Sequence, residues 1–193
     1  MYMKKLFLAG WMVCISGILW AQNITTEAKL TDVLKGKNEV SFSHPKLTWN
    51  HFRKKADSKD GWTAMTYSGI KLRQRYEPHN NQARLYIDVY AYMDQSQSWY
   101  APGADNPYTL SHEQLHFDIT ILIAKQLVQA LNEATFSKRH YDREVQAIHK
   151  SYLQKLNEMQ QLYDDETQNG QRASVQRAWE RKIAQENMLL SKD

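Results

Sequence analysis

Hydrophobic and polar positions divide the chain into two parts with different periods. Between residues 84 and 93 apolar and polar side chains alternate, which predicts a strand with one buried face. That face would carry Leu85, Ile87, Val89, Ala91 and Met93. Residues 64–73 predict a second strand, in which Gly69 indicates a bulge, and residues 94–106 have the composition of a loop. The N-terminal half is therefore expected to form a small antiparallel or mixed sheet.

The other face of the strand at residues 84–93 is rich in tyrosine. Aromatic side chains at such positions are typical of packing on a pleated surface. The alternative is that this strand forms the edge of the sheet, where a peptide could bind by strand addition.

The C-terminal half has the period of helices almost throughout. Asn106 as a cap and Pro107 at the first helical position predict a largely buried helix that continues to about residue 136. A second helix is predicted over residues 141–167, and a more polar third helix over residues 173–190. Strands followed by three helices predict an α+β fold.

The N-terminus has the layout of a secretory signal peptide. Two lysines precede an uncharged apolar run over residues 6–20, and Ala21 provides a small residue for cleavage. The run is shorter than the ~20 residues that a membrane-spanning helix needs, so a retained anchor is the less favoured alternative. We expect residues 1–21 to be removed and residues 22–193 to form a single secreted or periplasmic domain without a stable membrane span.

Composition narrows the classes of function. The single cysteine, Cys14, lies in the predicted signal peptide, so the exported protein would have neither a disulfide nor thiol chemistry. The formal net charge of +4 includes two lysines of that peptide. The remaining balance is too even to predict binding to nucleic acid or to an anionic membrane surface.

One short segment, His112-Glu113-Gln114-Leu115-His116, has the pattern of a metal site. Two histidines four residues apart on a helix lie on one face and can bind one metal ion. Glu113 beside them could take a proton from a metal-activated water and deliver it to a leaving amine. A chance occurrence on a polar helix is the alternative. However, this helix is otherwise apolar and has little reason to bury such groups unless a metal satisfies them.

A catalytic zinc site needs a third protein ligand. If the first two helices form an antiparallel hairpin with its turn near residues 137–140, His112 and His116 lie level with residues 161–165. An acidic cluster begins there. The third ligand is therefore expected on the second helix.

Asp164 and Glu166 are the two candidates within this cluster. Extending the inner apolar stripe of the helix from Met159 and Tyr163 slightly favours Glu166. A solvated helix end without any ligand is the alternative, because charged helix termini are common. The residues by themselves leave the choice between Asp164 and Glu166 open.

Together these segments resemble a bacterial family called domain of unknown function 922, whose members are described as secreted zinc-dependent proteases. The resemblance is carried by Leu47-Thr48-Trp49 with Phe52, by residues 64–70, by His112-Glu113-Gln114-Leu115-His116-Phe117-Asp118-Ile119, and by Tyr163-Asp164-Asp165-Glu166-Thr167-Gln168-Asn169-Gly170. The segment around the two histidines is the specific part. The resemblance implies a zincin-like fold, Zn²⁺ as cofactor and peptidase activity on a peptide or protein substrate.

One position departs from the family pattern. The last family motif is Tyr-Asp-x-x-Thr-x-His-Gly, and Asn169 stands in place of its histidine. If that histidine binds zinc, this protein binds metal weakly or is inactive. If the aspartate binds it, the resemblance implies Asp164 as the third ligand with His112 and His116, and Glu113 as the catalytic residue. The alternative function is a non-catalytic exported interaction module with a structural or degenerate metal site.

Overall fold

The order of strands and helices follows the two hydrophobic periods. A computed structural model describes residues 24–32, 38–56, 62–79 and 82–190, and the predicted signal peptide lies outside these ranges. Within them the fold is α+β, with a mixed sheet in the N-terminal half followed by three helices. No helix in the described ranges combines the length and the apolar character that a membrane crossing requires.

The main sheet is built around one long central strand. The strands are β1 (Ile24–Leu30), β2 (Glu39–Ser41), β3 (Ala64–Met65), β4 (Ser68–His79), β5 (Gln82–Asp94) and β6 (Trp99–Tyr100). β4 pairs with nearly the whole of β5 in antiparallel orientation. β1 pairs in parallel with the first part of β5, and β2 pairs antiparallel with its end. β3 and β6 form a separate antiparallel pair.

The alternating pattern of β5 is confirmed, because every predicted inward side chain of that strand is fully buried. Its position in the sheet, however, contradicts the edge-strand alternative. β5 has partners along both sides, so its backbone groups are already engaged and no peptide can add to it. The tyrosine-rich face therefore belongs to a strand that is paired along both sides.

Two further details differ from the prediction for residues 64–73. This segment forms two strands instead of one, and β4 continues to His79. Gly69 does not mark a bulge, since it pairs with Tyr92 in an unbroken register. A β-carbon at Gly69 would lie 3.0 Å from the Tyr92 hydroxyl oxygen. The glycine makes room for that side chain.

The helices have nearly the limits that the sequence predicts, except that the first helix ends at Glu133, about three residues earlier than expected. They are α1 (Pro107–Glu133), α2 (Tyr141–Thr167) and α3 (Ala173–Leu189), and a short 3-10 helix spans Trp49–His51. α1 begins where the Asn106 side chain accepts a hydrogen bond from the Thr109 amide, 2.9 Å away. α1 packs against the sheet as well as against α2 and α3. α3 is attached mainly through the buried side chains of Trp179 and Ile183.

Candidate metal centre

α1 and α2 form the antiparallel hairpin that the sequence predicts. Near one end His116 contacts Gln160. Further along α1 the Gln126 side chain accepts a hydrogen bond from Lys155, which lies earlier on α2. A step forward along α1 from His116 to Gln126 therefore corresponds to a step back along α2 from Gln160 to Lys155. This register brings the end of α2 to the two histidines.

His112, His116 and Asp164 lie close together and form what we call the His-His-Asp group. The Nε2 atoms of His112 and His116 are 3.2 and 3.0 Å from the same oxygen, Oδ1 of Asp164. One potential ligand atom from each residue lies within 4.8 Å of the others. Both histidines are buried and Asp164 is partly buried. Two imidazole nitrogens and a carboxylate oxygen form a donor set that suits a divalent transition metal such as zinc.

The electrostatics of the group favour a positive charge between its members. Burial acts to raise the pKa of Asp164, but hydrogen bonds from His112 and His116 hold that pKa well below its usual range. Burial acts to lower the pKa of His116, whereas its contact with Asp164 and the nearby Glu113 carboxylate raise it. Both pKa shifts therefore favour a positive charge next to the Asp164 carboxylate.

Glu113 lies in the same cavity and is held by a residue from the sheet side. Its side chain is buried, and Oε2 accepts a hydrogen bond of 2.7 Å from the Thr66 hydroxyl. Thr66 lies between β3 and β4. Thr66 has no role in the predictions from the sequence, although it falls within one of the segments that carry the family resemblance. The contact fixes one oxygen of Glu113.

The His-His-Asp group and Glu113 line a cavity of about 470 Å³. Its remaining walls come from residues 62–66, the first turn of α1, Gln160 and residues 169–171. Trp62 and Tyr108 are among the exposed large side chains of the described residues. None of the described residues that line the cavity is a lysine or an arginine. The described wall of the cavity therefore carries no permanently positive side chain.

A family model with the description "Bacterial protein of unknown function (DUF922)" matches residues 50–171. The chain belongs to the DUF922 family. The match includes the His-His-Asp group, Glu113 and Thr66, and it ends before α3. No curated protein and no solved structure shows significant similarity to the chain. The description of the matched family model names no activity, so the function of this DUF922 protein has to be inferred from its site.

A second residue of this DUF922 site that sequence analysis missed is Gln160. Its Oε1 atom accepts a hydrogen bond from Nδ1 of His116. Its Nε2 atom is 3.2 Å from the Thr120 hydroxyl and 3.4 Å from the Ser68 hydroxyl. Gln160 precedes Asp164 by four residues on α2, so helical spacing was the available signal. The glutamine leaves Nε2 of His116 free to face Asp164.

Glu166, the other candidate ligand, is placed away from the histidines. Its carboxylate accepts a hydrogen bond of 2.7 Å from the indole nitrogen of Trp179 on α3. The inner stripe of α2 continues from Tyr163 to Thr167, and both are fully buried. Glu166 therefore lies beside the stripe on the side that faces α3. The structure brings Asp164 to the histidines and leaves Glu166 outside the group.

Asn169 lies in the turn after α2, where the family pattern has histidine. It has a left-handed backbone with φ of 52°, as does Gln168 before it, and Gly170 follows with φ of 84°. Asn169 is exposed and lines the cavity. The Gly170 carbonyl beside it accepts a hydrogen bond from the Tyr108 hydroxyl. Position 169 is thus at the cavity wall, next to the site.

Proposed function

We propose that this protein is an exported zinc-dependent peptidase with a zincin-like fold, which hydrolyses peptide bonds in a peptide or protein substrate. The observation that carries the proposal is the convergence of the His-His-Asp group, with Glu113 beside it in one cavity. Three protein ligands leave a fourth position open on a tetrahedral zinc ion, as catalytic sites require. A closed structural site would need a fourth protein ligand.

Each residue of the site has a distinct task in the proposed reaction. Zinc, when bound, supplies an acidified water and a Lewis acid for the scissile carbonyl. His112 and His116 would hold it through Nε2, and Asp164 through Oδ1. Glu113 accepts the proton of the attacking water and delivers it to the leaving amine. The Thr66 hydroxyl holds one oxygen of Glu113, so the other oxygen exchanges the proton.

The departure from the family pattern at Asn169 leaves the proposed donor set intact. The donor set has three members with Asp164 included, so it is complete without position 169. Asn169 then belongs to the wall that a substrate would contact.

Export is proposed on the basic and apolar pattern of residues 1–21.

Zinc binding by the purified protein tests the metal site. We expect one zinc per chain, and we expect His112→Ala and Asp164→Asn to lose it. His44→Ala is the matched control, because His44 is exposed and lies outside the His-His-Asp group. Undiminished zinc uptake by His112→Ala would contradict the proposed site.

The catalytic role of Glu113 is tested by Glu113→Gln, assayed with zinc and an unstructured protein substrate. The variant should keep its zinc, because Glu113 is not in the donor set, and should lose cleavage by at least about 100-fold. Glu158→Gln on the exposed face of α2 is the control and should cleave normally. Cleavage at the normal rate by Glu113→Gln would remove this role. A wild-type protein that binds zinc through four protein ligands and cleaves nothing would indicate an interaction module.

A further inference from the structure

The two ring nitrogens of His112 have different surroundings. Nε2 faces Asp164, 3.2 Å from Oδ1. Nδ1 is buried and has no hydrogen-bond partner among the described residues. When Nε2 of a neutral imidazole binds a metal, Nδ1 must carry the proton and becomes a donor. A buried donor without an acceptor costs free energy, so the loaded site needs an acceptor at this atom.

Gln176 on α3 has a buried atom of the complementary kind. The residue is 1% exposed, and its Oε1 atom has no hydrogen-bond partner among the described residues. Its Nε2 atom donates to the Ser111 hydroxyl at 2.8 Å and to the Glu180 carboxylate at 3.3 Å. An ionised carboxylate only accepts hydrogen bonds, so the amide nitrogen belongs on the Glu180 side. The amide oxygen is therefore the end that remains unpaired.

Gly170 lies next to both unpaired atoms. A β-carbon at this position would be 3.3 Å from Nδ1 of His112 and 3.6 Å from Oε1 of Gln176. The donor and the acceptor thus border the same small space. Because glycine has no side chain, this space stays open, and the φ of 84° at Gly170 also favours glycine.

His116 already has the arrangement that His112 lacks. Its Nε2 faces Asp164, 3.0 Å away, and its Nδ1 is hydrogen-bonded to the amide oxygen of Gln160 on α2. At both histidines Nε2 faces Asp164. Nδ1 has a hydrogen-bond partner at His116, but at His112 it has none among the described residues. Gln160 contacts His116, and Gln176 borders the same space at Gly170 as His112 does.

We infer that Gln176 is the positioning residue of His112, and that its Oε1 accepts the Nδ1–H hydrogen bond when the site holds metal. The inference rests on the metal site of the proposed function but not on peptidase activity. Such a partner fixes the ring tautomer and orientation, and its loss typically lowers metal affinity by about 10- to 100-fold. It also makes α3, which lies beyond the family match, a part of the metal site.

Zinc affinity of Gln176 variants, measured by competition with a chelator, tests this inference. Gln176→Met keeps a similar volume without the acceptor, and we expect its affinity to fall by about 10- to 100-fold. Gln176→Glu keeps an acceptor oxygen and should retain more affinity than the methionine variant. Gln185→Met, on the exposed side of the same helix, is the control and should bind as wild type does. Equal affinities in wild type and Gln176→Met would overturn the inference.

A second measurement needs no variant and so does not depend on whether the variants fold. In zinc-loaded wild type labelled with ¹⁵N-histidine, we expect a slowly exchanging Nδ1–H signal from His112 with a nuclear Overhauser effect to the Gln176 side chain. A signal without that contact would overturn the inference. Failure of wild type to bind zinc would overturn both the inference and the proposed function. Zinc binding without cleavage would overturn the peptidase alone.

Discussion

A single carboxylate oxygen of Asp164 lies between the two imidazoles of the site. Glu166 is only two residues further along α2, yet two residues correspond to a rotation of about 200° around a helix. This rotation directs Glu166 to Trp179 instead. Side-chain chemistry alone does not distinguish the two acids. The identity of the third donor therefore depends on how α2 is rotated about its own axis relative to α1.

Asp118 is expected to make the stability of the metal-free protein depend on pH. Burial raises its pKa to about 6, although a hydrogen bond from the Gln114 amide, 2.8 Å away, acts to lower it. The unfolded chain ionises near the ordinary value of 3.8. The folded state therefore bears a cost of ionisation that appears as pH rises from about 4 to about 6 and remains above that range. Asp118→Asn should remove this cost.

Urea unfolding of Asp118→Asn at two pH values measures the effect. The free energy of unfolding should rise by about 3 kcal/mol at pH ~7 and change little at pH ~3, where the carboxyl group is mostly neutral in both states. Asp165→Asn, at an exposed position of α2, should show no such difference. An equal gain at both pH values would assign the effect to packing.

At the scale of the elements, α1 is attached at its C-terminal end to the outer side of β1. The Asn132 side chain accepts a hydrogen bond from the Ala28 N–H at 2.7 Å and donates one to the Ala28 carbonyl at 2.9 Å. These two bonds occupy backbone groups of β1 that β5 does not pair. A side chain of α1 thus acts as a short substitute for a neighbouring strand.

Asn132→Ala should lower the free energy of unfolding by about 1 to 2 kcal/mol, because two hydrogen bonds are lost. Amide hydrogen exchange at Ala28 should become faster in the same variant. Zinc affinity should not change, since Asn132 is about 24 Å along α1 from His116. Glu133→Ala, at the next exposed position, serves as the control. Unchanged exchange at Ala28 would show that the amide contact does not hold β1.

At the scale of the whole molecule, the proposed metal would link α1 to α2, while α1 also packs on the sheet. A ligand that binds only the folded state stabilises it by mass action. Free zinc at 100 times its dissociation constant should therefore raise the free energy of unfolding by about 2.7 kcal/mol. The melting temperature should rise by roughly 5 to 10 °C.

Thermal melting with zinc, with a chelator and with magnesium checks this expectation. Zinc should raise the melting temperature, the chelator should reverse the effect, and magnesium, which prefers octahedral oxygen ligands, should have little effect. His112→Ala should melt at the same temperature under all three conditions. A zinc effect that persists in this variant would place the bound metal elsewhere.

Much of the fold follows from local patterns in the chain. The cap at Asn106 and the periods of the apolar residues predict the limits of the helices closely, because these signals act within a few residues. Strand details were predicted less well. The role of Gly69 depends on Tyr92, its partner in β5, and the central position of β5 depends on β1 and β2. Such pairings join distant residues and have no local pattern.

The same division applies to the site. The sequence by itself determined that His112 and His116 share one face of a helix with Glu113 beside them, because residues four apart lie about one helical turn apart. Only the tertiary structure decided which atoms surround them. Asp164, Gln160, Thr66 and Gln176 come from other elements. Their selection depends on how two helices and the edge of a sheet pack around α1, and packing is a property of the assembled chain.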